Sequence, residues 1–223
     1  MHTEKLPTRM SLTEKLDRLQ MPMEVFMFYC NLFIRNWTRY CRKNIGGDWF
    51  LVKNKQGKLV PLTKDVIANH LLGKFWIATF PQKIARYICF DIDQSAEQMA
   101  IYRVLKEWFR VPLVFRSSSN HGLHLYCYLA CDFHITVQKL VNITKIELLK
   151  RGIEARPGIC EIFPDPTKPL RLPLGKDSFL LDPQTLQPFS ADLTESIRLI
   201  GESIIPQTFQ ILFPGLWKKK NEK

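Results

Sequence analysis

The sequence predicts an α+β fold: a βαββαβ unit preceded by a smaller companion lobe of helices and short strands. Two observations carry that prediction. From Phe75 onward, β-favouring runs and amphipathic helical stretches follow one another as strand, helix, strand, strand, helix, strand. Within those strand runs, large apolar residues alternate with polar or aromatic ones, the period of a sheet with two unlike faces. Composition allows a substantial core: of 223 residues 46% are hydrophobic and 24% charged, with only 10 Gly and 14 Pro, which excludes disordered and collagenous chains.

From Ser11 to about Lys43, Leu12, Leu16 and Leu19, then Val25, Phe26, Tyr29, Phe33 and Trp37, recur at helical spacing with Pro22 as a break, so two helices are expected. GGDWFLVKNKQGKLVPL has β-favouring runs about a turn-like NKQG and predicts a hairpin, with a short helix through Val66–Leu72 after it. FWIATFP leads into the strand RYICFDID, the helix SAEQMAIYRVLKEWF and the strand PLVFRSS. GLHLYCYL, the helix ITVQKLVNITKIELLKRG and ICEIFP complete a unit of ferredoxin-like or RNA-recognition-like type. The expected division is an N-terminal lobe over residues 1–74, the βαββαβ unit over 75–205 and a basic tail or linker over 206–223 that ends in LWKKKNEK, with a further downstream domain as an expectation.

Strand parity turns this order into a site. Ile88, Phe90 and Ile92 share one face, while Cys89, Asp91 and Asp93 share the other. Leu123, Leu125 and Cys127 oppose His124, Tyr126 and Tyr128, and Cys160 and Ile162 oppose Ile159, Glu161 and Phe163. One face is expected to be apolar and the other to carry the chemistry. The spatial order of a βαββαβ sheet places its first strand between the third and fourth, antiparallel to both, so Asp91, Asp93, His124 and Glu161 are expected to converge.

The chain carries 32 Lys plus Arg against 21 Asp plus Glu, a net charge of +11, which favours a polyanionic partner. Cysteines at 30, 41, 89, 127, 131 and 160 lie mostly in apolar stretches and are expected to be reduced thiols of a cytoplasmic protein. The N-terminus fits neither a secretory signal nor a lipidation motif, and Met21–Ile34 is too short to span a bilayer, so no membrane partner is expected.

Asp91 and Asp93 can present two carboxylates to one hard cation, with Glu161 as a third oxygen donor; Mg²⁺ or Mn²⁺ suits such ligands, and two ions about 4 Å apart suit displacement at phosphorus. Solvated acids at a strand end are the bland alternative. RSSSNHGLHLY is a polar turn whose amides and hydroxyls can cradle phosphate, with His124 as a donor beside it, although hairpin turn chemistry accounts for the same residues. In EIFPDPTKPLRLPLGKD, Arg171 and Lys176 bracket a turn and can grip the charged tail of a nucleotide. Cys127, Cys131 and His134 have a zinc-like spacing, but parity puts Cys127 on the apolar face and no fourth ligand is evident. Trp37, Tyr40, Trp49, Phe50 and Trp76, among Arg35, Arg39, Arg42, Lys43 and Lys53, can be core or a stacking surface for a single strand.

Taken together, ICFDID, GLH within SSSNHGLHLY, and CEIFP resemble the three catalytic motifs of the archaeo-eukaryotic primase superfamily, in order, and specifically those of compact primase-polymerases from plasmids, phages and defence loci. HLLGKFWIATFP and RLPLG resemble the flanking segments, and the resemblance covers about His70–Asp182. It implies the archaeo-eukaryotic primase fold and template-directed nucleotidyl transfer on single-stranded DNA with NTPs or dNTPs. It further implies that Asp91, Asp93 and Glu161 hold two Mg²⁺ or Mn²⁺ ions, while His124, Ser118, Ser119, Arg171 and Arg116 contact the incoming nucleotide. A helicase or other replication or defence protein, acting in trans or on a downstream part, is an expected further partner. A repair-type primer-extending polymerase of the same superfamily, a metal-dependent nuclease and a non-catalytic single-strand-binding module are the competing readings.

Overall fold

The computed structural model describes residues 10–109, 113–117, 121–130, 134–204, 206 and 212–213. Ser11 starts α1 (Leu12–Arg18) with a capping box, its Oγ accepting from the Glu14 amide at 3.2 Å while Glu14 Oε2 accepts from the Ser11 amide at 2.6 Å. Pro22 then opens α2 (Met23–Phe33). The helical spacing read on to Lys43 fails beyond Phe33. Ile34 is extended, Asn36 Oδ1 accepts from the Thr38 amide at 2.9 Å in an Asx turn, and Tyr40–Lys43 is a strand, β1.

β1 pairs antiparallel with β2 (Trp49–Leu51), so the main hairpin turns at Asn44–Asp48. The expected NKQG turn is also present, but it closes only a single bridge between Lys53 and Leu59. Thr63 caps α3 (Lys64–Leu71), and β3 (Trp76–Thr79) pairs with β1 on its other side.

The βαββαβ unit follows as β4 (Tyr87–Ile92), α4 (Gln98–Trp108), β5 (Leu113–Arg116), β6 (Leu123–Tyr128), α5 (Val137–Lys150) and β7 (Cys160–Phe163). Three later elements are β8 (Leu170–Arg171), β9 (Leu180–Leu181) and α6 (Leu193–Ser203). β8 joins the first sheet, ordered β2-β1-β3-β8, and β9 extends the second, ordered β7-β4-β6-β5-β9. As expected, β4 lies between β6 and β7 and is antiparallel to both.

One face of the second sheet meets α4 and α5. Ile88, Phe90, Ile92, Leu123, Leu125, Cys127, Cys160 and Ile162 pack there with Leu105, Leu140 and Leu148. The opposite face, expected to be open, is mostly a second core. Tyr87, Cys89, Phe115, Tyr126, Tyr128 and Phe163 pack against Phe26, Tyr29 and Phe33 of α2 and Ile197 and Ile200 of α6. The physical reason lies in the residues: aromatics dominate this face, and Phe33 meets Phe115 and Tyr126 edge-on with centroids 5.8 and 5.6 Å apart. Only the end of the face that carries Asp91, His124 and Glu161 is left for chemistry. Ile159, just ahead of β7, packs on the helix side, contrary to its parity.

Within 206–223, Leu212 and Phe213 are fully buried against α4, where Trp108 Nε1 donates to the Leu212 carbonyl at 2.9 Å. The five described cysteines are free and buried. Among the described residues, no helix is long and apolar enough to cross a membrane.

Candidate functional site

The alternation of β4 puts Asp91 on the aromatic face, and the ladder registers Asp91 against both His124 on β6 and Glu161 on β7. The three side chains therefore form a rung across adjacent strands. Asp93 lies one step past the end of β4, its backbone held by a hydrogen bond to the Ile159 carbonyl at 3.1 Å. All four residues line one cleft of about 660 Å³ between the two sheets, together with Lys43, Trp49 and Trp76 of the first sheet and Ser117, Lys168 and Arg171.

His124 is buried, and its Nε2–H donates to Asp91 Oδ1 at 3.2 Å. Burial acts to raise the Asp91 pKa, but the His124 imidazole, by charge and hydrogen bond, and the Arg171 guanidinium outweigh it and hold the carboxyl below its ordinary value. Asp93 is shifted the other way, by burial first and then by the neighbouring Asp91 and Glu161 carboxylates. Glu161 accepts a hydrogen bond from the Lys168 ammonium. As the side chains stand, no three His, Cys, Asp or Glu residues among those described are gathered closely enough to hold an ion.

The donor chemistry nevertheless suits Mg²⁺ or Mn²⁺. Two carboxylates two residues apart and a third one strand over are hard oxygen ligands, and the mutual repulsion felt at Asp93 is what a cation relieves. Glu161 would complete the set on leaving Lys168.

Arg171 stands on β8, opposite Ala78 of β3, with its guanidinium carbon 5.6 Å from the Trp76 ring centroid. Burial lowers its pKa to about 10, opposed by Asp91, so it stays charged at neutral pH. Among the described residues its buried Nη2 has no hydrogen-bond partner, a donor available to an anion in the cleft. Lys176 does not line the cleft; its backbone carbonyl accepts from Trp76 Nε1 at 2.9 Å.

Ser118 and Ser119 lie outside the described residues. Ser117, one position earlier, lines the cleft. Its amide donates to the Gly122 carbonyl at 2.8 Å, and a Cβ on Gly122 would fall 2.5 Å from Ser117 Oγ, so a larger residue there would displace the Ser117 hydroxyl. Arg116 is not brought to the site. Its register partner is Leu123, on the helix-side face, whereas Phe115 is the residue opposite His124. Cys127 is buried in the helix-side core and Cys131 lies outside the described residues, so no zinc site is formed by the residues described.

The aromatic series divides. Tyr40 is buried and Trp37 packs on the core, whereas Trp49 and Phe50 are 42% and 44% exposed. Trp49, Lys43 and Trp76 stand side by side across β2, β1 and β3, with the Lys43 ammonium 5.9 Å from the Trp76 ring centroid. Ser117, Lys168 and this row were not singled out from the sequence as one cleft. The aromatic-basic clustering was a signal for the row; nothing in the sequence placed it opposite Asp91.

Neither a protein-family model nor a curated protein matches the chain. Among solved structures, it is similar to the AEP domain of the cyanophage S-2L primase-polymerase (PrimPol), at 12% identity and a TM-score of 0.43, over 82% of this chain and 98% of that one.

Proposed function

We propose that the chain is a metal-dependent DNA primase-polymerase. The observation that carries this reading is the rung of Asp91, His124 and Glu161 in register across β4, β6 and β7, facing Arg171 and the Trp49–Lys43–Trp76 row across one cleft. The three sequence motifs that resemble those of archaeo-eukaryotic primases meet in that rung and at Asp93, and the net charge of +11 suits a polyanionic template.

In this reading Asp91, Asp93 and Glu161 hold Mg²⁺ or Mn²⁺, which when bound screens the triphosphate and favours the attacking oxygen. His124 fixes the Asp91 carboxylate through its Nε2–H. The Nη2 of Arg171 takes a non-bridging phosphate oxygen, and Ser117 offers its hydroxyl beside it. A 3′-hydroxyl oxygen then bonds to the α-phosphorus and gives up its proton to solvent, the bond from that phosphorus to the bridging oxygen breaks, and pyrophosphate carries the electron pair away. Trp49 and Trp76 offer ring faces to template bases, and Lys43 a charge to the strand between them.

The test is incubation with single-stranded DNA, Mg²⁺ or Mn²⁺ and labelled NTPs or dNTPs, with and without a primer. New chains without primer establish priming, and extension only from a primer establishes the repair-type polymerase. Asp91→Ala is expected to reduce either activity to background while leaving the circular dichroism spectrum close to wild type. Synthesis at wild-type rate by that variant, or none by the wild type, overturns the proposal, and the latter moves the reading to a binding module.

A further inference from the structure

Glu161 is the one member of the acidic set that is neutralised by a lysine. Lys168 reaches it from a loop built for the purpose. Asp165 Oδ1 accepts from the amides of Thr167 and Lys168 at 2.7 and 3.0 Å and from the Thr167 hydroxyl at 2.7 Å, an Asx turn that fixes the chain just where the Lys168 side chain leaves it. The Lys168 ammonium then donates to Glu161 Oε1. Lys168 is half exposed to solvent, and it and Glu161 both line the main cleft and a side groove of about 230 Å³. It therefore has a solvated place to withdraw to.

The pair also accounts for the state of the acidic cluster. The backbone register already sets Asp91 beside Glu161, yet no three carboxylate or imidazole groups among the described residues are gathered closely enough to hold an ion. Glu161 has an oxygen committed to Lys168 and Asp91 has one committed to His124. An ammonium and a divalent cation compete for the same oxygen, and at this half-exposed position the ion pair is weak enough to exchange.

We infer that Lys168 is a positioning residue that holds the Glu161 carboxylate and surrenders it to a divalent cation, so that the Lys168–Glu161 pair and cation binding exclude one another. The inference rests on the proposed assignment of Asp91, Asp93 and Glu161 as ligands, and it concerns the charge that stands in for the cation before it arrives.

The experiment is calorimetric titration of Mn²⁺ into the nucleotide-free protein, checked by the electron paramagnetic resonance signal of free Mn²⁺. The wild type is compared with Lys168→Met, Lys168→Arg, Lys43→Met and Asp91→Asn. Lys168→Met is expected to bind Mn²⁺ about two- to fivefold more tightly, the span expected on removing one exposed competing ion pair. Lys168→Arg, which keeps the charge, should remain near wild type. Lys43→Met removes an equal charge from the same cleft without touching Glu161 and should change the affinity less. Binding by the wild type that Asp91→Asn weakens but Lys168→Met leaves unchanged, or tightening in Lys43→Met as large as in Lys168→Met, overturns the role of Lys168 while the ligand assignment stands. Absence of Mn²⁺ binding in every variant overturns both, and binding seen only in Lys168→Met supports the inference in its strongest form.

Discussion

Arg171 has its position fixed by one short strand and its chemistry by what that strand leaves unsatisfied. β8 is two residues long, yet pairing with Ala78 and Thr79 turns the guanidinium into the cleft against Trp76, with Nη2 unpartnered among the described residues. A buried cationic donor without an acceptor is costly, and an anion in the cleft relieves that cost. If the anion is a triphosphate, Arg171→Ala should raise the KM for nucleotide by roughly tenfold to a hundredfold, the span expected for a charge-assisted hydrogen bond, while kcat changes less. Arg171→Lys should recover little of the loss, because an ammonium restores the charge but neither the planar fork nor the contact with Trp76. Steady-state kinetics at varied nucleotide concentration checks both, and a fall in kcat at unchanged KM would remove Arg171 from ground-state binding.

Elements divide into those that the sequence specifies locally and those that depend on the rest of the chain. β4, β6 and β7 alternate strongly enough that parity alone brings Asp91, His124 and Glu161 to one rung, and the register bears this out. β8 and β9 were invisible because two residues beside prolines have no period; distant partners make them strands. β1 was hidden because Trp37 and Tyr40 continue the helical spacing of α2, and an Asx turn at Asn36 decides the matter. The burial of the aromatic face was equally hidden, since it depends on α2 and α6 closing over it from opposite ends of the chain. His70 marks another such junction. It is fully buried at the end of α3, its Nδ1–H donates to the Phe75 carbonyl at 3.2 Å, and a Cβ on Gly175 would fall 2.1 Å from its Cε1, so the loop after β8 rests directly on the ring. Burial depresses its pKa to about 4, opposed by the Phe75, Pro173 and Leu172 carbonyls that face the ring. A histidine whose folded pKa lies below its unfolded value of about 6.5 leaves the unfolded chain binding the extra proton between those limits, so its stabilising contribution is present above pH 6.5 and declines as pH falls toward 4. The loss amounts to about 3 kcal/mol at most. Urea unfolding from pH 7 to pH 4.5 should therefore show a steeper fall for the wild type than for His70→Gln, whose side chain does not titrate; parallel curves would show that the ring gains its proton without unfolding.

At the scale of the whole molecule, two sheets that share the core under α2 and α6 face each other across the cleft, and the charges are arranged to match. The second sheet supplies the acids; the first supplies Lys43 and Arg171 beside Trp49 and Trp76, and Arg39, two positions before Cys41 and four before Lys43, lies over the Phe80 ring at 4.0 Å. A chain with net charge +11 could bind any polyanion diffusely, but this division puts a cationic, aromatic wall opposite a carboxylate wall, which suits a strand lying along one side and a nucleotide entering against the other. The two kinds of binding differ in their response to salt. If about three cations, such as Arg39, Lys43 and Lys53, engage phosphates of a single strand, the logarithm of affinity should fall against the logarithm of salt concentration with a slope near −2, or about 20-fold between 50 and 200 mM. Replacing Trp49 by alanine should weaken binding by about 1–3 kcal/mol at every salt concentration and leave the slope unchanged, because stacking releases no counterions. Lys43→Met should reduce the magnitude of the slope by about 0.7. Fluorescence anisotropy with a labelled oligonucleotide measures all three, and a slope that Lys43→Met leaves untouched would place the strand somewhere other than this wall.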